Sequence, residues 1–320
     1  MSLPTNIAKG PAAKMDLAEL DAGHRTSNGF EDVLRLRYWQ HILNELLKRK
    51  SFQIPIHLAF GHEAAAVALD RVAQPPDAIC LSHRNVAYNL ARSKSLDAVL
   101  EHYRLQGPGA ERGQMGSMNL AMEDSSIAYT SSILGNNLPV AAGIAMNRKL
   151  AARDGVVFVL TGDGAMEEGA FWETLIFARS HALKLVVIVE NNDCSMSSTI
   201  AQRRSPIDLA QVCMGLDIVY RAVPGANLAE VEGALQSARR EAGNGLPVCV
   251  ELALRTFNQH AGPTPGWPDD PLHIALADGL MVREGIEDPV YNIRQALGEP
   301  AFIQLTQAII EADGSDKHLH

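Results

Sequence analysis

The sequence predicts an α/β protein: a parallel sheet with helices on both faces. Two observations predict it. Short β-branched runs alternate with helical stretches through the middle of the chain, and those runs are apolar throughout rather than at every second position. A strand that is apolar on both sides is buried on both sides, as in a parallel sheet between two helical layers. Ligands of such sheets bind beyond the C-terminal ends of the strands.

The elements follow in order. Residues 1–27 are rich in Ala, Gly, Pro and Lys and read as a flexible arm. From Phe30, Leu34, Tyr38, Ile42 and Leu46 recur at intervals of four, with Trp39, Leu43 and Leu47 beside them, which is one apolar stripe on a helix. Lys48, Arg49 and Lys50 close it, where the helix dipole favours cations. Strands are expected at Ala78–Leu81, Val156–Leu160, Leu185–Val189 and Val248–Leu252. Helices are expected at Leu138–Ala152, Glu167–Ala182 and Leu228–Ala242. The run His260 to Leu272 is dense in Pro and Gly and reads as a loop. A last amphipathic helix, Val290–Leu297, precedes a polar tail. No internal repeat is visible. The expected organisation is an arm (1–27), a catalytic domain (28–285) and a C-terminal helix with tail (286–320).

Composition narrows the function. The 320 residues carry 28 Lys+Arg against 37 Asp+Glu, a net charge of −9, and 47% are apolar. Chains of ~300 residues bury roughly 75% of their unfolded surface, enough for one large core. No basic excess exists to release phosphate counterions, so no nucleic-acid partner is expected. The longest uncharged stretch, Ser125 to Asn147, carries Ser, Thr, Asn and Pro throughout, so no membrane span is expected. The N-terminus has no apolar signal core. Cys80, Cys194, Cys213 and Cys249 are scattered without a C-x-x-C, which fits buried free thiols and a cytoplasmic location.

The most informative segment runs from Val156 to Thr199. It is a strand, a tight Gly turn, a helix, a second strand and an Asn-Asn loop, hence one βαβ unit with both loops at the same sheet edge. Asp163 follows the first strand and Asn192 the second, so they are expected to be neighbours in space. The helix start after Gly164 attracts phosphate through its free N–H groups. Asp163 at that place repels phosphate, unless a divalent cation sits between them. Mg²⁺ takes hard oxygen ligands at about 2.0–2.1 Å and shares them with phosphate oxygens. A carboxylate, an Asn carbonyl and a backbone carbonyl can supply the protein's half of its octahedron. A dinucleotide fingerprint needs G-x-G-x-x-G/A, and Gly162-Asp163-Gly164-Ala165-Met166-Glu167 breaks it at the last glycine. No P-loop G-K-[ST] is present. A Gly turn with an Asx cap is the bland reading of a lone G-D-G, and the Asn pair ending the next strand weighs against it.

G-D-G followed after a helix by N-N resembles the cofactor-anchoring motif of thiamine diphosphate enzymes. The flanking text, GDGAMEEGAFWETL and ENN, resembles the alpha subunit of the decarboxylating component of 2-oxo acid dehydrogenase complexes and of acetoin dehydrogenases, from about residue 30 to about 298. The resemblance implies a thiamine diphosphate-binding fold of the diphosphate type. It implies Mg²⁺ ligands at Asp163, Asn192 and the backbone carbonyl of Cys194. Gly162 belongs to the same motif, and Gly164 and Ala165 then offer N–H groups to the diphosphate.

Further positions carry over one by one. Ile56–Ala64 (IHLAFGHEA) resembles the family's H-L-x-x-G-Q-E-A; it places His57 near the reacting carbon and has His62 where Gln is usual. Taken alone, each histidine is more often structural. Ser82-His83-Arg84 stands for Y-R-D, so Arg84 meets a diphosphate oxygen and the His83 imidazole replaces a tyrosine donor. Gly113–Leu120 (GQMGSMNL) resembles G-K-G-G-S-M-H, with Met115 for Gly and Asn119 for His. Ser132 and Leu134 match the segment that grips the aminopyrimidine; blandly, Leu134 is a core residue. His260 matches the second histidine of H-G-H-S, while Asn258 and Ala261 replace the first histidine and the serine. Trp172 and Glu173 are assigned to packing and subunit contact.

In this family a glutamate on a separate pyrimidine-binding domain activates the cofactor. The chain has no second βαβ-rich half to hold one. The resemblance therefore implies a partner beta subunit carrying that domain, an α₂β₂ heterotetramer, and a lipoyl carrier protein as acceptor. The expected activity is oxidative decarboxylation of a 2-oxo acid. A carboligase or split transketolase-like transferase is the alternative, favoured by E-G-x-x-W-E at Glu168–Glu173, by the incomplete H-G-H-S and by Asn119. A regulatory subunit without chemistry is the third reading, and Asp163, Asn192 and Arg84 argue against it.

Overall fold

The computed structural model describes residues 29–52, 54–104, 120–122, 125–263 and 272–320. The expected arm (1–27), Met115, Asn119 and residues 264–271 of the Pro/Gly-rich loop lie outside the described residues.

Six parallel strands form the sheet: β1 (Ala78–Leu81), β2 (Ile127–Thr130), β3 (Val157–Gly162), β4 (Leu185–Asn191), β5 (Val219–Pro224) and β6 (Val248–Ala253), in the order β2-β1-β3-β4-β6-β5. The helices are α1 (Phe30–Lys48), α2 (Glu63–Val72), α3 (Val86–Ser93), α4 (Leu96–Tyr103), α5 (Asn137–Leu150), α6 (Gly169–Ser180), α7 (Ile200–Arg203), α8 (Leu209–Gly215), α9 (Leu228–Gly243), α10 (Pro289–Leu297) and α11 (Glu299–Asp313). Alternate residues of the central strands feed two apolar cores. Phe158, Leu160, Val186 and Ile188 pack with α1, α2, α3 and α9 on one face; Val157, Val159, Val187 and Val189 pack with α5, α6 and α8 on the other. This is the expected α/β sandwich, and the all-apolar strands follow from burial on both sides.

The four expected strands are the four interior ones, and each is found with an end moved by at most two residues. The two missed strands, β2 and β5, are the sheet edges. An edge strand is half-solvated, so it loses the continuous apolar signature. β5 carries Arg221 at its centre and ends on Pro224, which an edge accommodates. β2 is only four residues long within the uncharged stretch that precedes α5.

Two further expectations are corrected. The helix expected from Glu167 starts at Gly169, because Glu168 is extended (φ −89°, ψ 138°) and separates it from a 3₁₀ turn at Asp163–Glu167. The feature directly after Gly162 is thus a tight turn rather than an α-helix N-terminus. The polar tail contains a second helix, α11, set off from α10 by Gly298 at φ 78°. It buries only Phe302 and Ile309, too few positions for a legible stripe. It docks on α1, where Trp39 Nε1 donates to Asp313 Oδ2 at 2.8 Å.

One buried polar cluster sets the loop before α2. The Arg37 guanidinium, on α1, donates to Glu63 (2.6 and 3.0 Å) and to Asp288 (2.9 and 3.3 Å). Gln40 donates to Glu63 Oε1 and to the Ala59 carbonyl, and its own oxygen accepts the Ala59 N–H. Glu63 Oε2 also accepts the Gly61 N–H at 2.9 Å. Gly61 is glycine of necessity: its φ is 101°, and a Cβ there would lie 2.0 Å from the Arg255 carbonyl oxygen. The segment that carries His57 is therefore fixed on its C-terminal side.

Candidate functional site

The sheet order reverses between β1 and β3. From β1 the chain runs to β2 on one side; from β3 it runs to β4 on the other. The connections leave in opposite directions and open a crevice at the strands' C-terminal ends. The loop after β1 holds Ser82, His83 and Arg84, and the turn after β3 holds Asp163, Gly164 and Ala165. A cleft of about 240 Å³ lies there. It is lined by His57, His83, Arg84, Ser132, Leu134, Gly162, Asp163, Gly164, Ala165, Asn192, Cys194 and His260, which is every site residue expected from the sequence.

Asp163 is 1% exposed. Its Oδ2 accepts a hydrogen bond from Arg203 Nη2 at 2.6 Å, and its Oδ1 is buried with no hydrogen-bond partner. Burial pushes its carboxyl above the usual range, and Arg203 pulls the other way. Arg203 is held in turn by Glu167 Oε1 at 2.9 Å. Gly164 lets the loop after β4 close over the turn, since a Cβ there would lie 2.6 Å from Ser195 Oγ. Asn192 Oδ1 accepts the Cys194 N–H at 3.1 Å, and its Nδ2 donates to Thr256 Oγ1 at 2.6 Å. Among the described residues no three His, Cys, Asp or Glu side chains are placed to hold a metal ion. A cation bound here would have to draw on amide and backbone oxygens besides Asp163.

Three imidazoles crowd the opposite wall. The rings of His57, His83 and His260 lie 4.9 to 5.2 Å apart, centroid to centroid. Burial, then the charge of Arg84, pushes His57 down to about 2 and His83 to about 3. The same two causes push His260 to about 4. All three rings are neutral at pH 7, so each keeps one donor and one acceptor nitrogen. Arg84 is the cation of this wall. It donates to the carbonyls of Leu58 and, at 3.2 Å, His260, which ties the His57 and His260 segments to the β1 loop. Burial lowers its pKa to about 10, so it stays charged at neutral pH.

Ser132, Ile133 and Leu134 form the rim, with Ile133 and Leu134 exposed. Asn258, which replaces the first histidine of the loop, is consumed structurally. Its oxygen accepts the Phe60 N–H, and its nitrogen donates to the carbonyls of Leu58 and Gln259.

Four site residues carry no assignment from the sequence. Glu190, the penultimate residue of β4, lines the cleft; a carboxylate near the end of an apolar strand was the available signal. Tyr88 donates to it directly, Thr256 joins it through His62, and Arg203 reaches Asp163. Nothing local to Tyr88, Thr256 or Arg203 marks them, because their partners are remote in sequence.

Comparison with known proteins is consistent with this arrangement. A family model described as the dehydrogenase E1 component matches residues 32–262, well over half of the chain. The pyruvate dehydrogenase E1 component subunit alpha of Rickettsia bellii is 27% identical over 74% of this chain and 73% of its own. The mitochondrial subunit alpha-2 of the same name from Arabidopsis thaliana is 26% identical over 84% of this chain and 66% of its own. The mitochondrial subunit alpha of Solanum tuberosum is 27% identical over 74% and 60%. A solved structure from Mycobacterium smegmatis superposes with a TM-score of 0.42 at 18% identity, over 63% of this chain and 33% of that one, too slight a likeness to carry an argument.

Proposed function

The chain belongs to the dehydrogenase E1 component family, and from that premise we propose that it is the alpha-type subunit of a thiamine diphosphate- and Mg²⁺-dependent enzyme that decarboxylates a 2-oxo acid and passes on the acyl group. One observation carries the reading. A buried carboxylate oxygen without a partner, Asp163 Oδ1, borders the same cleft as the Arg84 guanidinium. A buried lone acceptor is costly, and a divalent cation satisfies it. A cation and a guanidinium around one cleft suit a diphosphate.

The residues present fit the cofactor. Asp163, the Asn192 oxygen and the Cys194 carbonyl hold Mg²⁺. Arg84 and the N–H groups of Gly164 and Ala165 receive the diphosphate. Gly164 keeps that approach free of a side chain. Ser132 and Leu134 face the pyrimidine end. When bound, thiamine diphosphate supplies the nucleophilic carbon and the electron sink that decarboxylation needs. His57 and His260, neutral beside the reacting centre, exchange hydrogen bonds with substrate without adding charge. The activating glutamate comes from a beta-type partner subunit, in an α₂β₂ assembly, with a lipoyl carrier protein as acceptor.

A second reading keeps the cofactor and transfers a carbon unit to an aldehyde. The engagement of Asn258 in backbone bonds favours it, because the loop then offers His260 alone. One experiment separates the two. The chain is purified with the product of the adjacent gene and supplied with thiamine diphosphate, Mg²⁺, pyruvate, an acceptor dye or an aldehyde. Dye reduction without ketol supports the first reading, and ketol without dye reduction the second. Asp163→Ala is expected to abolish Mg²⁺-dependent cofactor binding while the chain stays folded. Unchanged affinity by calorimetry removes the metal assignment.

A further inference from the structure

We propose that His62 and Thr256 are positioning residues that hold the Asn192 amide in a single orientation, through a hydrogen-bond chain that begins at Tyr88 and Glu190. The inference rests on the reading of Asn192 as a Mg²⁺ ligand.

The chain has one proton assignment that uses every hydrogen. A backbone N–H can bond only to the oxygen of an amide, so the 3.1 Å contact from Cys194 N fixes which end of Asn192 is Oδ1. Its Nδ2 must then donate to Thr256 Oγ1 at 2.6 Å. The Thr256 hydroxyl, having accepted that bond, gives its own hydrogen to His62 Nε2 at 2.7 Å. With Nε2 accepting, the ring carries its hydrogen on Nδ1, which donates to Glu190 Oε1 at 2.8 Å. The same carboxylate oxygen accepts the Tyr88 hydroxyl at 2.7 Å. The members come from four places in the fold: α3, the end of β4, the N-cap of α2 and the segment after β6. His62, Glu190 and Tyr88 are all buried, so water does not compete for the bonds.

The physical need is specific. An amide ligand is uncharged, and half a turn about its last bond replaces the oxygen facing the cation with two N–H hydrogens. Tying Nδ2 to Thr256 removes that alternative. Partners of this kind behind a metal ligand tune affinity by about ten- to a hundredfold. His62 suits the role because it accepts at one nitrogen and donates at the other; a glutamine has the same pair of functions.

The test titrates Mg²⁺ by calorimetry into the full chain, in the assembly in which it purifies, with thiamine diphosphate present. Thr256→Val is expected to weaken Mg²⁺ by about ten- to a hundredfold. Thr256→Ser is expected to restore it. His62→Leu is expected to weaken it likewise, and His62→Gln to stay close to the unaltered chain. Thermal unfolding without ligands checks that each variant is folded; if Thr256→Val is not, the His62 pair carries the comparison. Equal Mg²⁺ affinity in the valine and serine variants, or in the leucine and glutamine variants, overturns the inference and leaves the proposed function standing. An unaltered chain that binds thiamine diphosphate with no dependence on Mg²⁺ overturns both.

Discussion

Arg203 donates to Asp163 Oδ2 at 2.6 Å, while Asp163 Oδ1 is buried with no hydrogen-bond partner. The carboxylate thus has one oxygen neutralised by the protein and one left without a partner. Removing the guanidinium leaves a buried charge uncompensated. Arg203→Met is expected to destabilise the unliganded chain by about 2–4 kcal/mol. On the proposed assignment Mg²⁺ with thiamine diphosphate would replace the lost charge, so its stabilising shift in melting temperature is expected to exceed that of the unaltered chain. Equal shifts in a paired melting experiment count against this electrostatic role.

Gly164 and Ser195 are in closer approach than a side chain permits. A Cβ on Gly164 meets Ser195 Oγ at 2.6 Å and Ser195 Cβ at 2.8 Å. Ser195 cannot retreat freely, because its N–H and carbonyl both pair with Ser198. Gly164→Ala is expected to cost about 1–3 kcal/mol through overpacking. Adding Ser195→Gly removes both colliding atoms and is expected to recover part of the loss. The double-mutant cycle in urea measures the coupling, and additive effects rule the contact out.

The buried histidines predict acid lability. Burial lowers His57 to about 2 and His41 to about 3, with Arg84 and Arg37 respectively adding to the shift. The unfolded chain takes up protons at these rings below its ordinary pKa of about 6.5, while the folded chain does not. Stability is therefore fully present above that value and falls as pH drops toward the folded pKa values. These two groups alone give a slope of about 3 kcal/mol per pH unit below pH 6, and His83 and His260, also lowered, steepen it. Urea midpoints between pH 7 and pH 4.5 measure it, and His41→Gln is expected to flatten the curve.

The Arg37 cluster, none of whose members lines the cleft, predicts a stability defect. Burial alone lowers the guanidinium pKa, but the attraction of Asp288 and Glu63 outweighs it and raises the value. All three side chains are fully buried. Asp288→Asn leaves half the compensation and is expected to cost about 3–5 kcal/mol. Asp288 also accepts the N–H groups of Val282, Arg283 and Val290, so the loss is expected to loosen the start of α10. Hydrogen exchange over residues 280–297 reads that directly, and an unchanged pattern refutes it.

The sequence by itself determined the sandwich and the edge of it that matters. Interior strands such as Leu185–Asn191 are apolar on both sides, and Gly162-Asp163-Gly164 and Asn192 each follow one of them directly. Strand and turn chemistry act between near neighbours, so they leave a mark in local order. The edge strands at Ile127 and Val219 escaped because half-solvated strands need no continuous apolar run. The tertiary structure alone decided what stands behind the cleft: Arg203 on Asp163, Thr256 on Asn192, His62 between Thr256 and Glu190, and three neutral imidazoles around Arg84. The hydrogen bonds among these contacts join residues 40 to 194 positions apart. Which donor meets which acceptor at such separations is set by how helices pack on the sheet, and no periodicity along the chain records it.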